Sequence, residues 1–166
     1  MSERIAAARN IRIMAVSAQT VIKGNRDAIV SALRDKAASI QVLLARPNSK
    51  FVKDVERVES PTRSGHISNE ILQTKALLEE YLIKAKESAD SSVNIGTVEV
   101  RHYSSHLRAS ILVCDDQWCW YTPNLPPKRS IETFSLELAP AASGLINDCI
   151  SHFDRVWDLM GRKEGS

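Results

Sequence analysis

The sequence predicts an α/β fold in which a mixed β-sheet is flanked by α-helices. Three observations lead to this class. Short apolar segments alternate with segments of helical spacing through the first half of the chain, and four strand-like segments followed by a helix fill the second half. The length of 166 residues, with 43% apolar and 25% charged residues, fits one ordinary globular domain over 1–166.

The first half begins with a β-α-β unit. In a short stretch over 2–10, the apolar residues have helical spacing. In 11–17, apolar and polar residues alternate and an apolar run follows, which is typical of a buried strand. An amphipathic helix is predicted over 26–38 and a second buried strand over 39–45. Because the connections are short, the two strands are expected to be parallel.

Further helices and four strands complete the predicted order. Amphipathic helices are expected over 49–59, 67–89 and 145–160. Alternation of apolar and polar residues predicts strands over 93–103, 108–114, 117–122 and 132–139. Asp115 and Asp116 lie between two of these strands and indicate a hairpin.

Composition and targeting signals exclude several classes of function. A net charge of +2, with no basic stripe interleaved with aromatic residues, makes nucleic acid an unexpected partner. No apolar run approaches the roughly 18 residues that span a membrane, and the first residues do not resemble a signal peptide. Three cysteines cannot all pair, so reduced thiols and a cytoplasmic location are expected.

Polar residues follow both predicted parallel strands. Ser17, Gln19 and Thr20 come after the first strand, and Arg46 and Asn48 come after the second. Ligands of such sheets bind beyond the carboxyl ends of the strands, and helix N-termini attract anions. A pocket is one interpretation; helix caps and turns are the other, because both use these residue types.

The histidines and cysteines do not form a recognisable metal site. His102 and His106 are four residues apart, but in a strand and loop rather than a helix, and no nearby carboxylate or thiol completes a set. General acid or base chemistry by one of them is one interpretation, and a solvated loop histidine is the other. Cys114 and Cys119 flank the predicted hairpin, and packing of the hairpin accounts for them better than a metal site does.

The sequence lacks the phosphate-loop motif, the dinucleotide-binding motif and the nucleophile-elbow motif, so no cofactor is expected.

Most of the scarce aromatic residues lie in one predicted strand. Alternation places Trp118 and Trp120 on one face of that strand and Cys119 and Tyr121 on the other. Apolar residues on both faces indicate either a central strand or a strand that a partner covers.

The residues around the hairpin resemble the core of the phospholipase D superfamily. There, a strand carries His-x-Lys, an Asp ends the strand, and Gly-Ser-x-Asn follows the next strand. Here 110–116 runs Ser-Ile-Leu-Val-Cys-Asp-Asp, and 122–126, Thr-Pro-Asn-Leu-Pro, follows the aromatic strand. The patterns of 26–44 and 134–157 are also similar, so the resemblance covers nearly the whole chain and implies a single phospholipase D-like domain.

The family's catalytic residues are replaced. Counting back from Asp115, Arg108 stands at the position of the nucleophilic His and Ser110 at that of the Lys. The family forms a covalent phosphohistidine, and arginine stays protonated and cannot be that nucleophile. The resemblance therefore implies a non-catalytic domain of bacterial regulation or defence signalling. It would bind a small phosphorylated or anionic ligand, or a protein partner, in a groove built from Ser17, Gln19, Thr20, Arg46, His106, Arg108, Asp115 and Asn124.

The resemblance also implies partners. Family members with one motif per chain pair their sites across a two-fold axis, so a homodimer is expected. The Trp118/Trp120 face is its candidate contact, and core packing is the alternative for that face. An effector or DNA-binding domain is a further expected partner. Two alternatives stay open: an active phosphodiesterase or nuclease that uses His106 or His102 with Asp115, and a purely structural adaptor.

Overall fold

Strand β1 (Asn10–Ala15) lies inside a six-stranded sheet and has a neighbour on each side. It pairs in parallel with β2 (Ser39–Ala45) and antiparallel with β4 (Ala109–Cys114). The computed structural model describes residues 1–59, 62–90, 94–104, 107–124 and 132–161. The sheet has the order β3-β2-β1-β4-β5-β6, with β3 (Thr97–Tyr103), β5 (Trp118–Pro123) and β6 (Leu136–Leu138). The predicted mixed sheet flanked by helices is confirmed.

Six α-helices surround the sheet in the described part of the chain: α1 (Ser2–Ala7), α2 (Gln19–Gly24), α3 (Arg26–Asp35), α4 (Lys50–Glu59), α5 (His66–Glu87) and α6 (Ser143–Gly161). A short 3-10 helix, Pro140–Ala142, precedes α6. Helix α2 was not predicted as a separate element. The helix predicted to reach residue 38 ends at Asp35, because Ala37 adopts a left-handed φ of 51°.

Helix α6 covers one face of the sheet. Arg12 of β1 lies on this face, and its Nε is 3.2 Å from Oδ1 of Asp154 in α6. Arg101 of β3 donates a 2.8 Å hydrogen bond to the carbonyl of Trp157, and its guanidinium carbon lies 4.1 Å from the centre of the indole ring. These contacts join α6 to strands β1 and β3, on either side of β2.

The other face carries a continuous apolar row that crosses the sheet. Ile13 pairs with Val42 of β2 on one side and with Leu112 of β4 on the other, and Leu112 pairs with Trp120 of β5. Ile13, Val42 and Leu112 are buried, and Trp120 is half-buried. Helix α5 lies over this face and also contacts α2, α3 and α4.

The start of α5 is held by a buried carboxylate from α4. Glu56, only 5% exposed, accepts hydrogen bonds from the backbone N–H groups of Gly65 at 2.9 Å, Ile67 at 2.9 Å and Ser68 at 3.1 Å. The first N–H groups of a helix lack partners within the helix, and a carboxylate there satisfies both their hydrogen bonds and the helix dipole. Glu56 therefore sets the position of the first turns of α5 relative to α4.

The entry into β3 depends on a glycine. The Gly96 N–H donates to the carbonyl of Leu33 at 2.9 Å, and the N–H of Thr97 donates to Ala38 at 2.9 Å. A Cβ atom at position 96 would lie 2.2 Å from the oxygen and 2.7 Å from the nitrogen of Ala38. Because these are backbone atoms between α3 and β2, they cannot move without disturbing the β-α-β unit.

We predict that Gly96→Ala lowers the free energy of unfolding by about 2–3 kcal/mol, because the added methyl group overlaps backbone. Gly24→Ala is the matched control: a methyl group added there would have no atom of another element within 4 Å, and the change should be neutral or stabilising by roughly 0.5 kcal/mol. Urea unfolding of the three proteins measures the difference. Equal midpoints for the two variants would contradict the proposed close approach.

Candidate functional site

The pairing of the strands brings several chain segments to one edge of the sheet. The carboxyl ends of β1, β2 and β3 lie at this edge because the three strands are parallel. Strand β4 begins there and β5 ends there, since Ala109 pairs with Pro123 and Ile111 pairs with Met14 near the end of β1. We call this the carboxyl edge. In α/β sheets it is the edge at which ligands bind.

A pocket of about 330 Å³ opens at the carboxyl edge, between the sheet and helices α2, α4 and α5. We call it the edge pocket. It combines an apolar wall with hydroxyl, amide and carboxylate groups, a mixture found in small-molecule sites. The polar lining residues are Ser17, Gln19, Thr20, Glu59, Glu70, Ser110, Thr122, Asn124 and Ser135. The apolar ones are Ile13, Ala15, Val16, Ala18, Val21, Ile67, Ile111, Leu112 and Trp120.

Three of the residues predicted after β1 lie together in this pocket. Ser17 lies two residues after the end of β1, and its hydroxyl donates to Oε2 of Glu70 in α5 at 3.0 Å. Gln19 begins α2, and its side-chain amide donates to Oε1 of Gln73 at 2.6 Å. Thr20 follows Gln19 and also lines the pocket. The loop after β1 is therefore joined to α5 by side-chain hydrogen bonds.

Asn124 reaches the same pocket from the opposite side. It directly follows β5, its backbone N–H donates to the carbonyl of Arg108 at 2.8 Å, and its side-chain amide donates to the carbonyl of Leu107 at 2.9 Å. Asn124 therefore holds the start of β4 against the end of β5. Its side chain and that of Ser110, two residues into β4, both line the pocket.

The two predicted arginines lie at the carboxyl edge but not in the pocket lining. Arg46 follows β2, is exposed, and donates its backbone N–H to the carbonyl of Tyr103 at 2.7 Å. Arg108 precedes β4 and is also exposed. Asn48 adopts a left-handed φ of 59°, and its backbone N–H donates to the hydroxyl of Ser68 at 3.0 Å. It does not line the pocket, so it fits the turn interpretation.

Of the two candidate histidines, the structure describes only His102. His102 lies in β3, half-buried, with Nδ1 3.2 Å from the carbonyl oxygen of Ala45, and it does not line the edge pocket. His106 lies outside the described residues. Among the residues that the structure describes, no three His, Cys, Asp or Glu side chains are grouped so that they can hold a metal ion.

The placement of Asp115 in the groove is wrong. Because β4 runs antiparallel to β1, its last residue pairs with Ile11 near the start of β1, so Asp115 lies at the opposite edge of the sheet. A strand of six residues separates it from Arg108 by roughly 20 Å. Asp115 therefore cannot contribute to the edge pocket, nor to catalysis by His102 in the phosphodiesterase alternative.

Asp115 has a structural role instead. Its Oδ1 accepts hydrogen bonds from the N–H groups of Arg9 at 2.9 Å and Asn10 at 2.8 Å, and its own N–H donates to the carbonyl of Asn10 at 2.9 Å. Both Asp115 and Asp116 adopt left-handed φ values, 51° and 58°, as the predicted tight hairpin requires. Asp116 pairs with Arg12. The hairpin tip is thus bound to the start of β1.

The pocket also contains residues that the sequence did not single out. Glu59 ends α4 and Glu70 lies in the second turn of α5, and both residues line the pocket. Thr122 and Ser135 line it too, with their hydroxyl oxygens 2.7 Å apart. A Glu on a long amphipathic helix is usually solvated, so hydrophobic spacing gives no signal that these side chains face a cavity.

The two tryptophans share a face of β5, as predicted, with ring centres 6.3 Å apart. Trp118 is 3% exposed, and its indole N–H donates to Oε1 of Glu137 in β6 at 2.7 Å. Trp118 therefore belongs to the core, which is one of the two alternatives that the sequence left open for this face. Trp120 lines the edge pocket. The homodimer itself stays a prediction.

All three cysteines are buried free thiols. Burial raises the pKa of Cys114 to about 12. A hydrogen bond with Cys149, together with burial, raises the pKa of Cys119. Because the thiolate is the nucleophile and the metal ligand, Cys114 and Cys119 are suited to packing, as the sequence indicated.

Comparison with known proteins bears on the fold. No protein-family model and no curated protein matches the chain. The structure is similar to the crystal structure of Nuc, a phospholipase D family member from Salmonella typhimurium, with a TM-score of 0.51 and 12% sequence identity. The similarity covers 95% of this chain and 84% of Nuc. The chain has a phospholipase D-like fold.

None of the helices in the described ranges is long and apolar enough to cross a membrane.

We predict that Asp115→Ala lowers the free energy of unfolding by about 2 kcal/mol, because two backbone N–H groups lose their acceptor and alanine tolerates a left-handed φ poorly. Thermal or urea unfolding measures the loss. Gln117→Ala, an exposed change in the same hairpin, is the control and should leave stability within about 0.5 kcal/mol. Unchanged stability in Asp115→Ala would refute the structural role.

Proposed function

We propose that this protein is a non-catalytic ligand-binding or interaction domain with a phospholipase D-like fold. Its edge pocket takes a small ligand that carries a phosphate or another anionic group. As the family resemblance implies, the domain acts in bacterial regulation or defence signalling, where it senses the ligand and interacts with a partner.

The observation that carries this proposal is the pair of residues at the start of β4. In the phospholipase D family the corresponding strand provides the His and Lys of the catalytic motif. Here those positions hold Arg108 and Ser110, and Ser110 lines the edge pocket. A pocket beside these two positions supports a binding role, and an arginine at the position of the nucleophile supports a non-catalytic one, because arginine cannot act as that nucleophile.

Arg108 can bind an anion at the carboxyl edge. Its backbone carbonyl accepts the hydrogen bond from Asn124, a pocket-lining residue, and its side chain is exposed. A guanidinium is always charged and presents paired N–H groups that match phosphate or carboxylate oxygens. Arg46, exposed at the end of β2, adds a second positive charge at this edge.

The phosphodiesterase alternative depends on His102 or His106. The position of His102 beside the Ala45 carbonyl, away from the pocket lining, does not favour it. A chromogenic phosphodiester assay separates the two functions. We expect no turnover by the wild-type chain; turnover that His102→Ala or His106→Ala abolishes would establish the alternative.

We predict that inorganic phosphate or a nucleotide raises the melting temperature of the wild-type chain by about 5 °C when it is near saturation. Arg108→Ala should lose this stabilisation because the anion loses its guanidinium partner. The measurement is a thermal-shift screen over nucleotides and other phosphates.

Arg155→Ala is the control for this screen, because Arg155 is exposed on α6, which covers the opposite face of the sheet. It should respond to phosphates as the wild type does. Equal stabilisation of Arg108→Ala and wild type would refute the role of Arg108. If no phosphate compound stabilised the wild type, the result would favour a structural adaptor over a domain that binds an anionic ligand.

A further inference from the structure

Strand β3 is the outermost strand on one side of the sheet. In the described part of the chain it pairs with β2 alone, and each residue of β3 has a partner there. The backbone N–H of Thr97 donates to the carbonyl of Ala38 at 2.9 Å, and the carbonyl of Tyr103 accepts from the N–H of Arg46 at 2.7 Å. Both ends of β3 therefore bond to the β2 side through odd-numbered residues, and the odd-numbered residues between them do the same.

The even-numbered residues of β3 direct their backbone groups away from β2. Successive residues of a strand alternate between its two sides, so the N–H and C=O groups of Val98, Val100 and His102 lie on what we call the outer side of β3. Such groups are a template for pairing with a further strand. Natural sheets block this pairing with proline, lysine, bulges or very short strands, and β3 contains none of these.

The charges of β3 are arranged symmetrically about its central residue. Glu99 and Arg101 flank Val100 and lie on the face that α6 covers, where Arg101 contacts Trp157. Within the chain, Arg101 contacts Oε1 of Glu99 through Nε at 2.7 Å and through a terminal guanidinium nitrogen at 2.6 Å. A carboxylate has about four acceptor sites, and the Glu99 side chain is 55% exposed, so it can accept from a second guanidinium.

A second copy of β3 in antiparallel orientation fits both features. When Val100 lies opposite Val100 of the second copy, Val98 of each copy lies opposite His102 of the other. These are the outer-side residues, and each opposed pair can exchange two backbone hydrogen bonds. The same register places Glu99 of each copy opposite Arg101 of the other, at the positions where side chains of antiparallel strands are closest.

The neighbouring registers are disfavoured by the same two side chains. A shift of two residues in one direction places Glu99 opposite Glu99 of the second copy, and a shift in the other direction places Arg101 opposite Arg101. Like charges directly opposite each other destabilise strand pairing. A shift of one residue would set outer-side backbone groups opposite groups that already bond to β2. The sequence of β3 therefore selects one register.

We propose that β3 is a dimerisation surface, through which two copies of this chain join their sheets in antiparallel pairing with Val100 on the two-fold axis. The occupant is a second copy because the charge pattern is complementary to itself, which an unrelated strand would not reproduce. The contact is independent of the edge pocket and its ligand. It places the two carboxyl edges at opposite edges of the joined sheet, unlike the paired sites that the family resemblance implies.

Sedimentation velocity of the full chain over a range of concentrations tests this dimer. The wild type should change from the mass of one chain to that of two as its concentration rises. Glu99→Lys should weaken self-association at least tenfold, because like charges then face each other across the contact. Glu87→Lys makes the same charge change at the exposed end of α5; it is the matched control and should associate as the wild type does.

A mixture of two charge variants tests the register. Glu99→Lys and Arg101→Glu should each associate weakly alone, since each places like charges opposite each other. In an equimolar mixture the charges facing each other across the contact are opposite, so the two variants should form a dimer together about as tightly as the wild type does. Weakening by both changes, with rescue on mixing, requires positions 99 and 101 to face each other.

Val100→Pro keeps the test decisive if Arg101→Glu folds poorly without its contacts to Trp157. Proline removes an N–H on the outer side and leaves the hydrogen bonds to β2 in place, so this variant should not associate. The proposal would be overturned by a wild type that stays monomeric at its highest soluble concentration. Association that neither Glu99→Lys nor Val100→Pro weakens, or folded charge variants that fail to associate on mixing, would also overturn it.

Discussion

The two-sided pairing of β1 is the constraint on which the rest of the structure depends. Its parallel pairing with β2 puts the polar loops after both strands at one edge. Its antiparallel pairing with β4 brings the beginning of β4, and with it the end of β5, to that same edge. Ser17, Ser110 and Asn124, which are far apart in the sequence, meet in one pocket for this reason.

Two local contacts keep the walls of that pocket in place. Glu56 binds the first N–H groups of α5 and so positions Ile67 and Glu70, which face the cavity. Asp115 binds the start of β1 at the far edge and so holds β4 in register with β1. Neither residue lines the edge pocket. Both act by placing the elements that do.

Much of this arrangement follows from the sequence by simple rules. Short connections predicted the parallel β-α-β unit, and the rule for strand ends placed Ser17, Gln19 and Thr20 correctly at the edge. Asp115 was misplaced although a six-residue strand already separated it from Arg108, so strand length alone argued against a shared groove. Glu70 could not be predicted, because hydrophobic periodicity identifies the buried face of α5 and does not reveal which polar residues face a cavity.

The central claim is that ligands bind at the carboxyl edge and not at the hairpin of Asp115. Backbone amide chemical shifts, followed while the full chain is titrated with inorganic phosphate, test it most directly. The account predicts shifts at Ser17, Gln19, Ser110 and Asn124, with Arg9, Asn10 and Asp115 unmoved. Shifts centred on Asp115 and the start of β1, with the edge pocket unaffected, would contradict it.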